Sequence, residues 1–149
     1  MKRLVSIIIT AIVMTITINV NGAINSKPEA LITEQQTEDY VARQIKVIHH
    51  EVINKIQVID AIARITPLII GDKEKKEKII NHLQDAKSAF LKIDGIILKT
   101  IAALKNHTIN TLSVEIWQTQ IEEIEYEAII LLFEAIKLME ADILEIETE

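Results

Sequence analysis

The chain contains no cysteine, which excludes disulfides, thiolate metal sites and a thiol nucleophile and leaves stability to packing alone. Turn formers are nearly as scarce, with three glycines and two prolines in 149 residues. That is too few to punctuate a β-sandwich or barrel, or to build a glycine-rich phosphate loop. Aromatic residues make up 3%, so the stacking platforms of single-strand nucleic-acid binders are missing. Positive charge is short as well: 16 Lys and Arg stand against 22 Asp and Glu. This argues against nucleic acid as a partner and against charge-driven attachment to anionic membranes.

What the chain does have is apolar, helix-forming sequence. Hydrophobic residues make up 49%, dominated by isoleucine, leucine and alanine and interspersed with glutamate and lysine, which predicts one compact all-α domain. The first residues are set aside. Met1-Lys2-Arg3, the apolar run Leu4 to Val20 and the small residues up to Gly22 have the form of a secretory signal, residues 1-22, cleaved after Gly22. An uncleaved anchor is the rival reading, and about 17 apolar-leaning residues sit at the lower limit for spanning a bilayer. Removing Lys2 and Arg3 and no acid takes the balance from 16 bases against 22 acids to 14 against 22. Residues 23-149 are therefore expected to form an acidic, secreted domain with no transmembrane segment.

Three helical patterns follow. Ser26-Lys27-Pro28-Glu29 has the spacing of a capping box and leaves room for a short fourth helix at the N-terminal end. The first long helix is expected over 37-66, with Val41, Ile45, Ile48, Val52, Ile56, Ile59 and Ala63 on one stripe and a stop at Pro67. Glu51 and Lys55 read as a surface pair four residues apart, and Leu68-Ile69-Ile70 as a connection tucked over the bundle end. The second helix is expected over 73-105, with a near-heptad seam of Ile79, Leu83, Ala86, Phe90, Ile93, Ile97, Ile101 and Leu104. The seam keeps phase through Asp94-Gly95, which favours one continuous helix over a break.

The third helix, 113-147, organises the rest because it is apolar on two faces. One carries Trp117, Ile121, Ile124, Ala128, Leu131, Ala135, Met139, Ile143 and Ile146. The other carries Tyr126, Ile130, Phe133, Ala141 and Leu144, interrupted by Lys137. Short connections make the three helices antiparallel neighbours, an up-down-up bundle with coiled-coil-like packing.

Chemistry-bearing clusters are few. His49 and His50 diverge by about 100° on a helix and cannot share a metal, so they read as one boundary and one surface histidine. Glu122, Glu123, Glu125 and Glu127 lack the spacing of a calcium loop and read as a solvated face. Lys87 and Asp94 flank the second seam and read as boundary residues, with a polar register device as the alternative. No nucleophile triad, nucleotide fingerprint or inward polar cluster is evident. No enzyme activity, cofactor or metal is expected. Asn106-His107-Thr108 is an N-glycosylation sequon in a predicted loop, so Asn106 is a candidate glycan site if the chain is exported.

Two functions fit this pattern. The first is a secreted, non-enzymatic binding protein that takes up a lipid or other apolar small molecule through its helix faces. The second is a structural or interaction protein whose Tyr126, Ile130, Phe133 and Leu144 face pairs with a partner helix or, as a homo-oligomer, with its own copy. A third, plainer outcome covers that face from within the chain, with Leu31 and Ile32, or leaves it exposed without consequence.

Overall fold

The computed structural model describes residues 34–148; the signal, the capping box, a short fourth helix and the cover by Leu31 and Ile32 all lie outside them. The described chain is three helices without a strand: α1 (Glu34–Ile69), α2 (Lys73–Lys105) and α3 (Thr111–Thr148). Ion pairs fix the directions. Asp60 meets Lys87 and His49 meets Asp94 across α1 and α2, while Lys75 meets Asp142 and His82 approaches Glu134 across α2 and α3. Numbers rise on one helix as they fall on the next, so neighbours in sequence are antiparallel and α1 runs parallel to α3. This is the expected three-helix bundle.

The helix ends follow from local chemistry. Asp72 caps α2, its Oδ1 accepting from the Lys75 N–H at 2.7 Å. At the other end of α2, Thr108 N–H reaches Ala103 O at 3.0 Å and His107 N–H reaches Leu104 O at 3.2 Å, a Schellman closure with His107 left-handed at φ 53° where glycine is usual. Asn110 opens α3 by accepting from Ser113 N–H at 2.8 Å, and Ser113 Oγ returns the favour to Asn110 N–H at 2.9 Å. The first helix outruns its expected stop. Pro67 lies inside α1, on its exposed side, and the ladder continues with Ile70 N–H on Thr66 O at 2.9 Å. Thr66 is buried and donates its hydroxyl to Ile62 O. Ile70 is buried as well, so packing at the bundle end outweighs the missing proline donor. Leu68, expected inside the connection, is instead 84% exposed.

The core is one continuous cluster with Phe90, Ile93 and Ile97 of α2 near its centre. α2 packs closely on both neighbours, most extensively on α3, whereas α1 and α3 approach each other at few places. Asp94-Gly95 does not break α2, and both residues are half-buried. Two stripes shift by one residue in places, although Val41, Ile45, Ile48, Val52 and Ile59 of α1 and Trp117, Ile121, Ala128, Ala135 and Met139 of α3 are buried as expected. On α1 the buried positions are Val52, Lys55, Ile59 and Ile62, with Ile56 and Ala63 only half-buried. On α3 they are Ile121, Glu125, Ala128 and Leu132, with Ile124 and Leu131 half-buried. A lysine and a glutamate thus occupy seam positions that hydrophobic patterning assigned to isoleucines.

Candidate functional site

Three places in the bundle combine unusual chemistry with definite geometry. The first is the inward polar cluster. Lys55 is 2% exposed and Glu125 1%; Lys55 Nζ donates to Glu125 Oε1 at 3.3 Å and stands 5.6 Å from the centre of the Phe90 ring. Glu125 Oε2 and Glu51 Oε2 are both buried without a hydrogen-bond partner among the described residues. Burial raises the Glu125 carboxyl above the usual carboxylate range; Lys55 pulls it down by charge and hydrogen bond, and Glu51 and Glu122 push it up again. This corrects two readings from the sequence. Lys55 is no surface partner of Glu51, and Glu125 does not share the solvated face of exposed Glu122, Glu123 and Glu127. The cluster is sealed from solvent, so it joins α1 to α3 and presents nothing to a substrate.

The second place is a cleft of about 270 Å³ at the end of the bundle that holds the α2–α3 connection. Val41 of α1, Ile96 of α2, Ile109 of the connection and Val114 and Trp117 of α3 give it apolar walls. Lys99 and Gln120 are exposed at its edge, and among the described residues no acid lines it, in a chain with six more acids than bases. Trp117 is buried, and its indole N–H has no acceptor among the described residues. Nothing in the periodicity pointed here, because the cleft depends on how the connection folds back over two helix ends.

The third place is the second face of α3. Tyr126, Ile130, Phe133 and Leu144 are all exposed, at 69, 41, 45 and 60%, and Ala141 and Lys137 are exposed with them. The four residues lie along one stripe on the side of α3 turned away from the core seam. Asn106 is exposed as the residue capping the end of α2, next to His107, whose Nδ1 lies 3.0 Å from Glu38 Oε1. The remaining candidates are boundary residues. His49 and Asp94 form a half-exposed pair at 3.0 Å, Lys87 and Asp60 another at 2.8 Å, and His50 is exposed beside Asn54. Among the described residues no group of three or more His, Asp or Glu could hold a metal ion.

The class these features define is a three-helix bundle with an apolar end cleft, a sealed charge centre and one helix face that no other described element covers. No family model, curated protein or solved structure matches the chain, so any function must be argued from the geometry. No described helix is long and apolar enough to cross a membrane.

Proposed function

We propose that this chain is an exported, non-enzymatic binding module that takes up a small amphiphile in the cleft between the α2–α3 connection and the bundle core. The observation that carries it is the cleft itself, apolar within and edged by a lysine but by no acid among the described residues. Ligand sites are typically concave, mostly apolar and equipped with a few polar groups that orient the ligand. At about 270 Å³ this one lies just below the range of drug-sized ligands, roughly 300–1,000 Å³. The occupant is therefore a medium-chain amphiphile such as decanoate, its chain against Trp117 and Ile96 and its head beside Lys99. Export rests on the signal-like residues 1-22, and exposed Asn106 is a compatible glycan site.

Trp117 is the only tryptophan in the chain, so its fluorescence reports on this cleft alone. Titrating the delipidated protein with decanoate should change the emission saturably in the micromolar range, and Ala103→Phe, which fills the cleft, should abolish the change. An emission that stays flat, or that drifts without saturating in both proteins, removes the reading.

A further inference from the structure

The outer face of α3 carries a charge pattern that identifies what could cover it. Projected at 100° per residue, Tyr126, Ile130, Phe133 and Leu144 form one stripe spanning about 27 Å at 1.5 Å per residue. Exposed Glu123, Glu127 and Glu134 follow one edge of that stripe, and exposed Glu122 and Glu140 follow the other. Lys137, within the stripe, is the one basic residue of α3. Glu134 also lies 3.8 Å from His82 Nδ1 of α2.

We infer that this face docks a basic amphipathic helix of a partner protein, its apolar side on the stripe and its Lys and Arg residues against the two acidic edges. An apolar row between charged rows is the arrangement by which helices recognise helices, with the apolar row giving affinity and the flanking charges selecting the partner. Charge complementarity argues against the other occupants. A second copy would set the acidic edges against each other with a single lysine on each side, and like charges across an interface are penalised. The chain's own residues 23–33 carry one base, Lys27, and one acid, Glu29, and cannot match five carboxylates. An anionic lipid surface is repelled by the same edges.

The test titrates the full chain with a labelled leucine–lysine amphipathic peptide of about five helical turns, and with a leucine–glutamate peptide of the same pattern. The leucine–lysine peptide should bind saturably and more weakly as salt rises, and the acidic peptide should not bind. Ile130→Ser/Phe133→Ser should weaken binding about tenfold or more, as loss of central apolar anchors does. Glu123→Gln/Glu127→Gln/Glu134→Gln should weaken it similarly and flatten the salt dependence. Glu77→Gln/Asp85→Asn, which removes exposed charge from α2, should leave it unchanged. All these positions are exposed, and superimposable circular dichroism spectra confirm that the fold is kept. The proposal is overturned if the α2 variant weakens binding as much as the α3 variants, or if both peptides bind alike. It is also overturned if sedimentation finds a dimer that Phe133→Ser dissolves, or if phosphatidylcholine vesicles bind the chain through the same stripe.

Discussion

A lysine and a glutamate enclosed by isoleucine and phenylalanine are each tolerable only while the other is present. Taking both charges out of water costs several kcal/mol per ion, and their attraction at 3.3 Å offsets this only while both remain. Lys55→Met should therefore lower stability by about 3–5 kcal/mol, because it leaves Glu125 buried beside Glu51 with no cation. Lys55→Met/Glu125→Leu should recover most of that loss, or even exceed wild type, since apolar residues of similar volume fit the same seam. Urea denaturation of the two variants checks this, and a double variant as unstable as the single one would show that the pair itself is needed. The raised Glu125 carboxyl adds a pH signature. Its proton is held more tightly in the folded than in the unfolded chain, so its contribution is fully favourable below the ordinary carboxylate range. That contribution is lost as pH rises from there through the higher folded value. Melting temperatures measured across this window should fall for wild type relative to Glu125→Gln as pH rises; parallel curves for the two proteins would rule the effect out. The pair escaped the sequence for a definite reason. Val52, Lys55, Ile59 and Val52, Ile56, Ile59 are both sound helical steps, and hydrophobic patterning takes the isoleucine. Only the tertiary position of α3 decides between them.

At the scale of elements, α2 tests how far periodicity can be trusted. Its seam from Ile79 to Ile97 is buried as the spacing requires, and Ile97 is 2% exposed while Lys99, two residues on, points outward. Ile97→Asp should destabilise the bundle by several kcal/mol, the cost of an unpaired buried carboxylate. Lys99→Asp should stay within about 0.5 kcal/mol while weakening decanoate in the cleft. Thermal melts on both variants decide the first point, and equal melting temperatures would show that Ile97 does not face the core. Gly95 is the weak link of the helix, and a Cβ added there meets nothing within 4 Å. Gly95→Ala should raise stability by about 0.5–1 kcal/mol, the helix-interior penalty of glycine, visible as a melting temperature a few degrees higher; a lower one would mean that the helix needs the glycine. Three helices, their order and the continuity of α2 were legible because long amphipathic segments carry a strong 3.6-residue signal. The passage of α1 through Pro67 was not, because burial of Ile70 and the Thr66 carbonyl bond depend on the far end of the bundle. The cleft was hidden for the same reason, while the second apolar stripe of α3 shows in the sequence pattern, and its large residues are exposed among the described residues.

In the whole molecule, the three helices are not bound equally. α2 and α3 share the most extensive interface, α1 packs well on α2, and α1 meets α3 at few places. One of those places is the Tyr40 hydroxyl, which accepts from Gln118 at 3.0 Å, and another is the buried Lys55–Glu125 pair. A hydrogen bond contributes about 1 kcal/mol net, and a buried ion pair often contributes less than apolar packing of the same volume. These two contacts between α1 and α3 are thus of a kind that adds little stability. Opening that frees α1 gives up less apolar burial than opening that separates α2 from α3, so α1 should detach first, leaving a helical hairpin. Native-state hydrogen exchange at increasing urea can resolve the order. Amides of α1 around Val52 and Ile59 should merge into one opening of lower free energy, while amides around Phe90 and Ala128 exchange only through global unfolding. Lys55→Met/Glu125→Leu should close that gap by replacing the polar bridge with packing. If the α1 amides of wild type join only the global opening, the bundle is a single cooperative unit and the sealed charge pair is no seam of weakness.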